Sequence, residues 1–202
     1  MHSSDQKPAH PALQALVADI GGVVSASDAT QLCVGKVKDL LAGFLCAKPS
    51  LPQGSREPAA DEYARHLLYR DPGGRFEVVS MAWGPGQSTP IHDHSGMWCV
   101  EGVYEGQIEV TRFDIKETPG DDLVRVEQLD VIRAGLGECG ALIPPVEYHR
   151  IANPHDHTAV TIHIYGGMMR SCRVFEQAGG GAYRVSIKPL RFTSENGALP
   201  PA

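Results

Sequence analysis

The chain reads as a mainly β protein, a sandwich or barrel of many short strands with helices packed outside it. Three observations predict this. From residue 63 onward apolar and polar residues alternate with period two, punctuated by turn dipeptides at Gly73-Gly74, Glu105-Gly106 and Pro119-Gly120. Residues 11–47 instead repeat apolar side chains at helical spacing. The length, 202 residues, suits one all-β domain.

Taken in order, residues 1–10 are polar and form a loose start. Leu13, Leu16, Val17 and Ile20 predict a helix that stops at Gly21-Gly22. Ser27 or Asp28 would cap a second helix carrying Leu32, Val37, Leu40, Leu41, Phe44 and Leu45, ended by Pro49. Residues 48–60 read as a linker-like loop. Residues 63–69 and 76–83 form a hairpin around Asp71-Pro-Gly-Gly74. Further strands are expected at 97–104, 107–115, 123–132, 139–144, 147–152, 158–165, 170–176 and 182–188. Gly179-Gly180-Gly181 is a loop. Residues 11–190 then make a single domain, 11–47 helical and 63–190 barrel, and 191–202 form a tail whose SENGALPPA end reads as disordered.

Composition narrows the function classes. A hydrophobic fraction of 42% and a charged fraction of 21% describe a globular protein, and a net charge of −6 without basic runs argues against nucleic acid. No apolar stretch spans a membrane, and the first residues lack a signal-peptide pattern. Five scattered cysteines, none in a C-x-x-C pair, fit a reducing cytoplasm and argue against a disulfide scaffold or structural zinc.

The chemistry concentrates in Gly84–Gly106. On a strand, His92 and His94 share one face and Asp93 takes the other, as a strand-end carboxylate. Two imidazoles on one face are half of a metal site, and His149 is the candidate third. Three protein ligands leave positions open, as catalysis needs. Imidazole suits zinc, copper, iron and nickel alike. With no carboxylate ligand the ion keeps its full charge and favours an incoming anion such as a thiolate. His155 and His157 read as a solvated pair in a polar turn. Thr161, His163 and Tyr165 share one strand face: either the outside of a sheet or, facing inward, a hydrogen-bond relay. Trp83, Trp98, Met81 and Met97 read as core or pocket wall.

Gly86, His92, His94 and Gly106 fall at the spacing of the first cupin motif, and Pro144, His149 and Asn153 at that of the second, where the usual glycine is Val146. The motif's glutamate is replaced by Cys99, and this departure resembles the cysteine dioxygenase family of thiol dioxygenases over roughly residues 60–190. The resemblance implies a cupin barrel, ferrous iron on His92, His94 and His149, and oxidation of a small thiol by O2 to a sulfinate. It implies a Ser-x-His-x-Tyr relay at Thr161, His163 and Tyr165, with His163 orienting the Tyr165 phenol. Tyr63-Ala-Arg65-His66-Leu67 resembles the Tyr-x-Arg-x-Leu whose arginine pairs with the substrate carboxylate. Relatives acting on 3-mercaptopropionate often carry Gln there, so Arg65 favours L-cysteine. Arg170 and Arg173 are further carboxylate candidates. Animal members join the positions of Cys99 and Tyr165 by a thioether; both partners are present, the alternative being a buried free Cys99. Tyr165–Phe175 matches the family in length, but Gly166-Gly167-Met168 replaces its Ser-Pro-Pro. The expected protein is a cytoplasmic monomer or weak homo-oligomer that takes a small thiol and O2, with no nucleic acid or membrane partner. The alternatives are 3-mercaptopropionate oxidation on the same site, or a cupin that binds metal and ligand without turnover.

Overall fold

The computed structural model describes residues 10–26, 30–117, 123–145 and 147–195. Two helices, α1 (Pro11–Ala26) and α2 (Thr30–Ala47), precede eleven strands. These are β1 (Ala64–Arg70), β2 (Glu77–Trp83), β3 (Ile91–His92), β4 (Cys99–Glu105), β5 (Gln107–Glu117), β6 (Leu123–Gly135), β7 (Cys139–Leu142), β8 (His149–Ala152), β9 (Ala159–Tyr165), β10 (Ser171–Gly179) and β11 (Ala182–Pro189). The loose start, the Ser27/Asp28 cap, the Pro119-Gly120 turn and the end of the tail lie outside the described residues.

The strands form two antiparallel layers. One is a five-stranded sheet in the order β1-β2-β9-β4-β7. In the other, β10-β11-β6-β5-β8-β3 pair into a closed ring. Gly106, at φ 75°, carries the chain from β4 in the first layer to β5 in the second. A Cβ there would sit 3.0 Å from backbone atoms of Thr158 and Ala159, so the position needs glycine for conformation and for space.

The helices cover the outer face of the five-stranded sheet. Leu13, Leu16, Val17 and Ile20 of α1 and Val34, Val37, Leu41 and Leu45 of α2 are buried in one cluster with Val78, Val100, Ile162 and Ile164. Each fully buried Ile contributes roughly 1.5–3 kcal/mol. Gly21-Gly22 does not stop α1, which runs on to Ala26. Two glycines cost about 1 kcal/mol each against alanine, and the buried stripe with Val23 and Val24 beside it offsets that. Pro11 opens the helix where a missing N–H costs nothing.

Strands β2 and β9 are buried on both faces, by helices outside and by the barrel inside. Thr161, His163 and Tyr165 therefore face the interior while Val160, Ile162 and Ile164 face the helices. The linker-like loop is packed rather than slack: Leu51 and Ser55 are buried, and the Ser80 hydroxyl donates to the Ser55 carbonyl at 2.7 Å. The first residues of the expected tail are also held. Thr193 N–H donates to Arg65 O at 2.7 Å, and Leu67 N–H to Ser194 O at 3.0 Å, so 190–195 lies along β1.

Candidate active site

Three imidazoles meet where β3 and β8 pair. His92 lies directly opposite His149, and their Nε2 atoms are 3.3 Å apart. The strand ends at His92, so His94 stands in the following loop, not on a strand with it. The loop is held by Glu147, whose carboxylate accepts from His94 N–H at 3.1 Å. The three ring centroids lie 4.6–5.3 Å apart.

Each ring turns its Nδ1 away from the others and toward an acceptor. His92 Nδ1 is 3.1 Å from Pro90 O, His94 Nδ1 is 3.4 Å from Glu147 Oε2, and His149 Nδ1 is 3.6 Å from Glu101 Oε1. A ring that donates at Nδ1 offers its Nε2 lone pair, which is the tautomer a metal ligand needs. Burial and the neighbouring His94 push His92 down to about 3. Burial and the neighbouring imidazoles hold His149 well below its usual range. Imidazoles converging this way fit a divalent transition metal.

A narrow cavity opens beside them, lined by Arg65, His92, His163, Tyr165, Met81 and Cys172 among others. Arg65 is 5% exposed, and among the described residues neither terminal guanidinium nitrogen has a hydrogen-bond partner. Its plane rests over Phe192 at 5.0 Å, and its backbone N–H donates to Thr193 Oγ1 at 3.1 Å. A buried charge without a partner costs several kcal/mol, so the cavity is built for an anion.

The expected relay is half present. Thr161 Oγ1 is 2.8 Å from His163 Nε2, and Trp83 Nε1–H donates to Thr161 Oγ1 at 2.9 Å. His163 and Tyr165 stack at 5.9 Å and are not hydrogen-bonded; Tyr165 Oη reaches Met81 Sδ at 3.8 Å instead. The reason is that the second nitrogen of His163 faces Glu101 Oε2 at 3.3 Å. His163 Nε2 is thus taken by Thr161 and its Nδ1 is turned toward Glu101 without hydrogen-bond geometry, and Tyr165 is left to the cavity.

Arg170 and Arg173 do not line the cavity. Arg170 is half exposed and lies 3.6 Å from Glu77. Arg173 donates through its backbone and its Nε to the Asp93 carboxylate, at 2.8 and 2.7 Å, and to Tyr148 Oη at 2.9 Å. Asp93 is accordingly buried, not a solvated strand end, and its pair with Arg173 ties the His92–His94 turn to β10. His157 is exposed and its ring stacks on His155 in a turn that Asn153 caps. Cys99 and Tyr165 are directly opposite across β4 and β9.

Glu101 and Glu147 escape a sequence reading. Glu101 shares the inner face of β4 with Cys99 and Val103, opposite His163. The only signal is a carboxylate inside the apolar run CVEGV. Burial pushes its carboxyl up to about 8.

A double-layered antiparallel barrel with three convergent imidazoles has the fold of a cupin and a group of histidines that could hold a metal ion. Comparison with known proteins narrows this. Residues 58–178 match the family model "Cysteine dioxygenase type I". Cysteine dioxygenase type 1 of Danio rerio is 30% identical over 141 residues, covering 69% of this chain and 67% of its own. The Homo sapiens protein of that name is 28% identical over 127 residues, 62% of this chain and 61% of its own. Among solved structures, a protein with a double-stranded β-helix domain from Klebsiella pneumoniae aligns with TM-score 0.43 and 16% identity over 65% of this chain and 90% of that one. The chain belongs to the cysteine dioxygenase type I family.

Proposed function

We propose that the chain oxidises L-cysteine to cysteine sulfinate, using Fe(II) held by His92, His94 and His149. The observation that carries this is the buried guanidinium of Arg65, its terminal nitrogens without a hydrogen-bond partner among the described residues, in a cavity that His92 also lines. It matches a substrate with a carboxylate at one end and a metal-binding thiolate at the other. A guanidinium fork grips a carboxylate with two parallel hydrogen bonds. When bound, the ferrous ion would supply open positions at which a thiolate and O2 can meet and a path for electrons from sulfur to O2. Both oxygen atoms end on sulfur, which loses four electrons to them, so no further reductant is required.

The remaining roles fall to side chains around the cavity. Arg65 fixes the carboxylate and with it the distance of the sulfur from the histidines. The Tyr165 hydroxyl, with only a thioether beside it, is available to hydrogen-bond the reacting group. Met81, Met169 and Leu190 supply apolar wall and limit water. Cys99 and Tyr165, opposite in register, suit a thioether. Its formation would remove one hydrogen from the thiol and one from the phenol ring and pass both, with two electrons, to O2.

The test is oxygen uptake by anaerobically iron-loaded protein with L-cysteine and 3-mercaptopropionate in parallel, products identified by mass. Higher kcat/KM on cysteine is expected. Preference for 3-mercaptopropionate would move specificity to Gly166–Arg173. No uptake with bound iron would make the chain a binding protein. Tyr165→Phe is expected to lower kcat more than it raises KM; unchanged uptake would remove Tyr165 from the reaction. Intact mass short of two hydrogen atoms would report the Cys99–Tyr165 bond.

A further inference from the structure

Glu101 stands between two groups that the proposed chemistry uses separately. Its side chain is almost fully buried on the inner face of β4. Oε1 lies 3.6 Å from Nδ1 of His149, and Oε2 lies 3.3 Å from Nδ1 of His163; neither contact has hydrogen-bond geometry, and Glu101 Oε2 and both Nδ1 atoms are buried facing one another without another partner among the described residues. Cys99, Glu101 and His163 bring their donor atoms within 4.8 Å of one another. Glu101 does not line the Arg65 cavity.

The protons of this network can be placed. An indole N–H only donates, so Thr161 Oγ1 accepts from Trp83. Thr161 Oγ1 lies 2.8 Å from His163 Nε2 and still has its hydrogen to donate there, or a second lone pair to accept with, so the tautomer is decided at Nδ1. A neutral imidazole that accepts at Nε2 is protonated at Nδ1, and that atom faces Glu101. The opposite tautomer would set a nitrogen lone pair against carboxylate lone pairs. His149 follows the same logic, since its Nε2 turns to His92 and its Nδ1 to Glu101. Behind Glu101 a second cavity of ≈ 340 Å³ opens, with Lys38 and Arg133 in its lining. Water there can serve the carboxylate lone pairs that the imidazoles leave.

We propose that Glu101 is a positioning residue: in its ionised form a single carboxylate accepts from His149 and His163 together, sets both tautomers, and ties the aim of His149 to the Thr161–His163 pair. Burial pushes that carboxyl up to about 8, so the tests are read above pH 8. The proposal rests on the three-histidine reading above. It gives this chain a bridge between its metal-facing ligand and the inner wall of β9.

Glu101→Gln tests it with little change of shape. An amide has one acceptor oxygen and an NH₂ that only donates, so it can serve one of the two imidazoles. The affinity of the full chain for Co(II), measured by competition with a chelator, should fall 10- to 100-fold, with near-ultraviolet circular dichroism of the metal-free protein unchanged. Equal affinity in both proteins would overturn the proposal. Independently of any variant, imidazole ¹⁵N chemical shifts of the metal-free parent should show the proton of His163 on Nδ1. A proton on Nε2 would overturn the proposal even if Glu101→Gln did not fold. A parent that binds no Co(II) at all would defeat the metal reading, while the ¹⁵N shifts would still decide the role of Glu101.

Discussion

A buried arginine whose terminal nitrogens lack a hydrogen-bond partner is a liability to the folded chain, and among the described residues Arg65 is one. Its replacement should therefore act in two directions. Arg65→Ala removes charged hydrogen bonds worth about 1.5–3 kcal/mol, so KM for cysteine should rise roughly 10- to 150-fold in steady-state oxygen uptake. Cysteamine, which lacks a carboxylate, should show no such loss. Arg65→Met should raise the melting temperature of the metal-free protein, because an apolar side chain replaces an unpaired charge. Unchanged melting would mean that the guanidinium already has solvent. At this scale much of the site was legible. His92, His94 and His149 converge, Thr161 meets His163, and Arg65 shares a cavity with His92 and His163, and strand periodicity and motif spacing carry that much information. Arg173 and Asp93 were misread because nothing in sequence says that β10 passes beside β3. Glu101 was missed because β4 is buried on both faces, which erases the contrast between inner and outer positions.

Strands survive from sequence to structure better than their neighbours do. All ten expected strands have a counterpart within a few residues, since turn residues mark their ends. The two-residue β3 lacks the length for any periodic signal, and only its pairings with β8 and β10 define it. Helix α1 overran its expected stop because tertiary packing outweighs the propensity of two glycines. Two glycines test the elements themselves. Gly106→Ala must hold φ near 75° and find room against the Thr158–Ala159 backbone; a left-handed non-glycine residue costs about 1–2 kcal/mol before any clash. Urea titration should show at least that loss. Gly166 lies under Trp98, where a Cβ would come 2.2 Å from the indole nitrogen. Gly166→Ser alone should destabilise. Paired with Trp98→Ala it should cost less than the sum of the singles, with a coupling above about 0.5 kcal/mol. Additive losses would show that the indole does not fill the space where the family's serine would sit.

The whole molecule should respond to acid through its buried imidazoles. In the unfolded chain His92 takes a proton below about 6.5, whereas in the fold it resists until about 3. The unfolded state then binds more protons across that window, so stability falls as pH drops through it, by at most about 1.4 kcal/mol per pH unit for each such group. His149 and His163, also held well below the usual range, add in the same sense, while Glu101, pushed up to about 8, opposes them between about 8 and its usual range, so the three imidazoles outweigh one carboxyl. Denaturant midpoints of metal-free protein at pH 7.5 and pH 5 should differ in that direction, and His92→Asn should shrink the difference. A second property belongs to the whole chain. The wall of the Arg65 cavity includes Leu190, the ring over the guanidinium is Phe192, and Thr193 bonds the arginine backbone in both directions. A ribosome delivers these residues after every strand of the barrel. A nascent or prematurely terminated chain can fold its histidine cluster and still lack the clamp for a carboxylate, so amino-acid binding would report that translation has passed the last strand.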